Sequence, residues 1–214
     1  MRLYLSSFRM GHCPERLLDL TRGQTSAAVI ANATDAYPPE NRSAGVAREL
    51  DDLTELGFRA EELDLRDYFD GQPIDAELRR HDLVWVRGGD VFTLRHSLQR
   101  SGADLALSDV LANDAIAYGG YSAGVCVLGP TLRGLEDVDD PAWLKTLYNA
   151  DPVWDGLGVL EYCLVPHVAS PEHPESAACD RVARHYRALG TAHRTLRDGQ
   201  AIVIDGETDE ICGG

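Results

Sequence analysis

The order of apolar runs and helical repeats predicts an α/β fold: a three-layer, doubly wound, mainly parallel sheet with helices on both faces and a C-terminal β-hairpin. Three observations carry this expectation. The apolar runs "SAAVIA" and "LVWV" are short and near-continuous, as in strands buried on both faces. Helically spaced segments separate them, and strand–helix–strand order needs crossovers. The chain closes with "GQAIVIDGETDEIC", two strands around Asp205-Gly206, a favoured turn pair. With 214 residues and 44% hydrophobic content, one domain spanning residues 1–214 is expected.

Each element follows in order. Arg2–Ser6 reads as the first strand and Cys13–Arg22 as a helix. Ser26–Ala31 is the second strand. Ser43–Leu56 repeats apolar residues at Val46, Leu50 and Leu53, which is helical spacing, and Gly57 ends it. Phe58–Leu63 alternates as a strand does, and Leu83–Val86 is a buried strand. Asp90 is placed to cap a helix reaching Arg100, followed by a second helix over Asp104–Asn113. Ala115–Tyr118 is a strand that delivers the chain to Ser122. After Gly129-Pro130 comes a loop rich in Gly, Asp and Pro. Leu157–Val165 reads as a strand ending at Pro166-His167, and Pro174–Leu189 as a late helix.

Composition excludes several classes. The net charge of −15 argues against a nucleic-acid partner and against docking on anionic membranes. No apolar run has the length of a membrane span, and the N-terminus lacks the apolar core of a signal peptide. The five cysteines (Cys13, Cys126, Cys163, Cys179 and Cys212) are dispersed and form no C-x-x-C pair, so reduced thiols in a cytoplasmic protein are expected. No metal-ligand spacing occurs, and neither metal nor cofactor is expected.

The stretch "YGGYSAGVCVLGP" holds the motif Gly120-x-Ser122-x-Gly124 between a strand and an apolar helical run. Glycines on both sides permit a tight strand-to-helix turn that lifts the serine hydroxyl above the sheet edge. The plain alternative is a glycine-rich turn with a capping serine. As a nucleophile, Ser122 would have the N–H of Ala123 as a first oxyanion donor. It also needs a base. Of seven histidines, His167 in "LVPHV" stands where an apolar strand runs out, and such strand ends form sites in open α/β sheets. Its plain alternative is a histidine bonded to backbone. The pair Gly88-Gly89 in "VRGGDVFTL" lets backbone N–H groups approach a ligand, with Gly89 the second oxyanion donor.

Together "GGYSAG", "GGDVFTL", "VPH" and "LRDGQAIVIDG" resemble the peptidase E (aspartyl dipeptidase) family, to which cyanophycinase is related. The resemblance runs from about Leu83 to the C-terminus. It implies a class I glutamine-amidotransferase-like fold, of flavodoxin-like architecture. It implies a serine peptidase acting on short peptides, with Ser122 as nucleophile, His167 as base, and backbone donors at Gly89 and Ala123. It implies an orienting acid at Asp198 of "LRDG", with Asp137 as the alternative. Substrate contacts are expected at Gly88, Asp90 and Arg181. The chain departs from the family pattern where Arg87 and Asp90 replace a glycine and an asparagine of one loop. It departs again where Cys179 stands in place of an arginine that holds the substrate's aspartate, with Arg181 and Arg184 further along. The aspartate preference is therefore not carried over. The expected partner is a short peptide, and the chain is expected to be a monomer or homodimer.

Two other readings stay open. One is a non-catalytic binding or sensing module on the same fold. The other is an esterase of α/β-hydrolase type, although no HGGG oxyanion loop occurs. A glutamine amidotransferase would want cysteine at the elbow, and Cys126 lies one helical turn too late.

Overall fold

In the computed structural model, which describes residues 1–213, five strands pair in parallel in one seven-stranded sheet and two more join it through antiparallel pairing. The strands are β1 (Arg2–Ser6), β2 (Ser26–Ile30), β3 (Arg59–Glu62), β4 (Leu83–Val86), β5 (Ala117–Tyr121), β8 (Ala201–Asp205) and β9 (Thr208–Cys212). Their order is β3-β2-β4-β5-β1-β8-β9. Strand β5 lies between β4 and β1, with Gly120 opposite Val86 and Leu5. The closing hairpin β8–β9 extends the sheet from β1, pairing Ser6 with Ala201.

Side-chain alternation divides the core between the two faces, as a period of two requires. Leu3, Leu5, Ile30, Val84 and Val86 point to one face, beneath the helices α4 (Val91–Ser101), α5 (Ala103–Ala112) and α8 (Ser176–Leu189). Tyr4, Val29, Leu83 and Trp85 point to the other, where α1 (Arg16–Leu20) supplies Leu17 and Leu20, and α2 (Pro39–Glu55) supplies Leu53. Three short helices complete the set: α3 (Asp75–Leu78), α6 (Ala123–Cys126) and α7 (Trp143–Tyr148). No helix among the described residues is long and apolar enough to cross a membrane.

Several expectations are corrected. Helix α2 begins at Pro39, since proline suits a first helical position, where its missing N–H is not needed. Strand β5 runs through Gly119-Gly120 to Tyr121, directly against Ser122. The expected strand over Leu157–Val165 shrinks to β6 (Cys163–Val165), which pairs with β7 (His193–Thr195) in a separate two-stranded parallel sheet. The N–H groups of Leu157 and Leu160 donate instead to the carbonyls of Val127 and Leu128, so that stretch tracks the end of α6.

The cysteines are also corrected. Cys13 and Cys212 are joined in a disulfide across a sequence separation of 199 residues. Strand β9 alone carries Cys212 back to the N-terminal loop, a pairing that spacing along the chain cannot reveal. Cys126, Cys163 and Cys179 are free and buried.

Candidate active site

Ser122 follows β5 without a spacer and adopts φ 51° and ψ −120°, a conformation that non-glycine residues rarely hold. Its side chain makes no capping bond to α6, so the capping reading fails. The neighbouring glycines are needed for closeness. A Cβ on Gly120 would lie 2.6 Å from the Val86 carbonyl oxygen, and one on Gly124 would strike the same atom. Gly88 likewise faces the Ser122 Cβ, which an added Cβ would approach to 2.8 Å. Helix α6 has only four residues. What it offers a ligand is therefore local N–H groups rather than a long dipole.

His167 lies just past β6 with φ 60°, and its side chain is 1% exposed. Its Nδ1 sits 2.7 Å from Asp198 Oδ1. That contact assigns the ring proton to Nδ1, and Nε2 keeps a lone pair. Nε2 is buried and has no hydrogen-bond partner among the described residues.

The acid is itself held. The Ser7 hydroxyl donates to Asp198 Oδ1 at 2.8 Å and accepts from the His167 N–H at 2.8 Å. The Asp198 N–H donates to Ser170 Oγ at 2.8 Å. Asp137, by contrast, is exposed in a short 3-10 turn. Burial pushes the His167 imidazole below its ordinary pKa, and the nearby His173 adds to this, while the bond to Asp198 opposes them.

Ser122 and His167 line one cavity of about 280 Å³ with Gly88, Gly89, His173 and Glu175. A larger cavity of about 630 Å³ lies alongside, lined by Asp198, Phe8 and Arg9 but by neither Ser122 nor His167. Of the two, only the smaller is lined by both Ser122 and His167. Phe8 lines both and meets the His167 ring edge-on at 5.9 Å. The His173 ring stacks on His167 with centroids 3.6 Å apart and planes 4° apart.

Three arginines also line the 280 Å³ cavity: Arg9, Arg48 and Arg87. Arg87 is held by buried Glu49 at 3.3 Å, and Glu49 also accepts from the Tyr121 hydroxyl and the Trp85 indole N–H. Gly45 on α2 makes room for this guanidinium, since a Cβ there would sit 2.8 Å from it. A side cavity of about 20 Å³ opens under Ser122 and His167, walled by Cys126, Asp139, Glu175 and Cys179. Burial raises the Asp139 carboxyl well above the usual range, with Asp90 adding to it, and pushes the Cys179 thiol up to about 12.

The fold thus brings together Ser122, His167, Asp198, Gly88, Gly89 and Ala123, the last lining the side cavity. Two expected substrate contacts stand elsewhere. Asp90 is buried and accepts from the Thr93 N–H at 2.6 Å as the cap of α4. Arg181 is exposed on α8 and donates to the Ala177 carbonyl. Sequence reasoning missed Ser7, Glu49, His173 and Glu175. Ser7 had a signal, since it follows β1 at the carboxyl end of a strand. His173 and Glu175 had none, because the loop after His167 is irregular. Nor did the sequence suggest a metal-ligand grouping, yet the ligand atoms of His167, His173 and Glu175 lie within 4.8 Å of one another.

Comparison with known proteins bears on the family and the fold. The profile of Peptidase family S51 matches residues 5–212. An uncharacterized peptidase of Listeria innocua is 33% identical over 94 residues, 44% of this chain and 43% of that protein. Peptidase E of Streptomyces coelicolor is 26% identical over 156 residues, 71% of this chain and 60% of that one. The chain thus spans about half the length of these curated relatives. A Listeria monocytogenes crystal structure described as a candidate peptidase E superposes with a TM-score of 0.79 at 22% identity, covering 100% of this chain and 98% of that one, which shows a shared fold.

Proposed function

Because the chain belongs to peptidase family S51, we propose that it hydrolyses short peptides as a serine peptidase, with Ser122 as nucleophile, His167 as base and Asp198 as orienting acid. One observation carries the assignment: His167, whose Nε2 is buried and unpartnered among the described residues, lines the same cavity as Ser122, while Asp198 holds the opposite ring nitrogen. In this mechanism Ser122 Oγ attacks the peptide carbonyl carbon and its proton passes to His167 Nε2. The carbonyl oxygen, now negative, is met by the N–H groups of Gly89 and Ala123. Collapse breaks the C–N bond, and His167 returns the proton to the leaving amine. Water, deprotonated by the same nitrogen, then releases the acyl group from Ser122.

The Ser122→Ala variant tests this directly. Its hydrolysis of a di- and tripeptide library should fall by about 10⁴-fold or more, with an unchanged melting temperature. Wild-type turnover by purified Ser122→Ala protein would exclude the serine mechanism.

The side cavity supports a second statement. It contains Cys179 and two acids but no arginine, while Arg181 and Arg184 are exposed on α8. A substrate carboxylate would meet no guanidinium there, and a fixed fork is what such recognition requires. Asp-X dipeptides should therefore be cleaved no faster than Gly-X or Ala-X. A hundredfold preference for Asp-X in kcat/KM would show that Arg9, Arg48 or Arg87 of the 280 Å³ cavity reaches the aspartate.

A further inference from the structure

We propose that His167, His173 and Glu175 form an inhibitory site for a divalent transition metal, zinc foremost. The ion would sit on the nitrogen that the peptidase reaction needs. Two nitrogen donors and one carboxylate suit zinc, which commonly takes three protein ligands and leaves a fourth position to water. Their ligand atoms already lie within 4.8 Å of one another. An independent feature also points to a ligand: His167 lines the cavity with a side chain 1% exposed, and its Nε2 has no partner among the described residues. Asp198 on Nδ1 fixes that lone pair toward Nε2, the outer-sphere arrangement that orients metal-bound imidazoles.

Binding requires one movement. Parallel stacked rings cannot aim two lone pairs at one ion, so His173 must turn. It is half-buried, and the polar contact it gives up is a 3.3 Å bond from the Glu175 N–H. Glu175 lines both the main and the side cavity, so its carboxylate reaches the same space. The bound ion would occupy the His167 lone pair, and peptide hydrolysis would stop until a chelator removed it. Metal here is an inhibitor and not a cofactor.

A second grouping, Glu61, Glu77 and His81, must be removed from the test because it offers three similar ligands elsewhere. Zinc chloride is titrated calorimetrically, in a non-chelating buffer, into the full chain carrying His81→Gln, and into the same chain with His173→Gln or Glu175→Gln added. Each added substitution should weaken binding at least about tenfold, and Ser122→Ala should leave it intact. The histidine ring nitrogens of the His81→Gln protein, followed by NMR, need no further variant: His167 and His173 signals should shift together and return with EDTA. Unmoved His167 and His173 signals at saturating zinc would overturn the site, as would equal affinity in all variants. The inhibition rests on the peptidase reading, but both measurements are made without substrate. Loss of that reading would therefore leave the binding result standing, and a negative binding result would leave the peptidase reading standing.

Discussion

At the scale of single residues, the site depends on which acid faces His167. Asp198 is fixed by three bonds: from the Ser7 hydroxyl, to the imidazole, and through its own N–H to Ser170. Asp137 is exposed. Asp198→Asn should therefore lower kcat/KM by about 10²- to 10⁴-fold, because asparagine allows the wrong imidazole tautomer, while Asp137→Asn stays near the parent. The pH profile supplies the sign. The base must be neutral to accept a proton, and burial lowers the pKa of His167, so the acid limb of kcat/KM should fall below the ordinary imidazole value of 6.5. The bond to Asp198 acts in the opposite direction and raises that pKa. Removing the carboxylate should shift the limb to still lower pH even as the rate drops. A limb that stays in place in Asp198→Asn, or a loss of rate confined to Asp137→Asn, would reverse the assignment.

At the scale of elements, the site is made by β4 and β5 lying side by side and ending together, with glycine wherever their backbones converge. Gly89 has φ 147°, and a Cβ there would come within 2.5 Å of the Ala33 carbonyl oxygen. Gly89→Ala should displace the loop and with it one N–H donor. We expect a loss of about 10²-fold or more in kcat/KM, since single oxyanion donors carry effects of that order. Gly190→Ala is the matched control: φ is 71° at the end of α8, yet nothing lies within 4 Å of an added Cβ. It should lower the melting temperature slightly and leave kcat/KM alone. A folded Gly89→Ala protein with parental kcat/KM would remove Gly89 from the oxyanion hole. These elements are also where the sequence was most legible. Strands β2 and β4 were readable because two-sided burial makes them near-continuously apolar. Strand β5 extends past its expected end because glycine pairs read as turns, although here they allow close strand packing. Strands β6 and β7 form their own small sheet, and a three-residue strand leaves no periodicity to find.

At the scale of the whole molecule, the same limit governs what residues distant in sequence do together. Ser122 and His167 could be singled out from their local motifs and Asp198 only through the family resemblance, whereas Ser7 beside Asp198 is apparent only once β1 lies between β5 and β8. The disulfide is the extreme case, since it depends on β9 closing the sheet. Cys13 follows a loop whose His12 N–H donates to the Gly199 carbonyl at 2.8 Å, next to the acid turn. Joining Cys13 to Cys212 encloses nearly the whole chain in one covalent loop, which restricts the unfolded state more than the folded one. The native contacts that hold Asp198 are hydrogen bonds and packing, and they do not require the sulfur bridge. Cys212→Ser should therefore cost about 2–5 kcal/mol of stability and lower the melting temperature by several degrees. Its kcat/KM, measured well below that temperature, should equal the parent's. Alkylation of the unreduced parent should label neither Cys13 nor Cys212 until reductant is added. Labelling of both without reductant, or a melting temperature that Cys212→Ser does not change, would mean that the two ends of the chain are held by β8–β9 pairing alone.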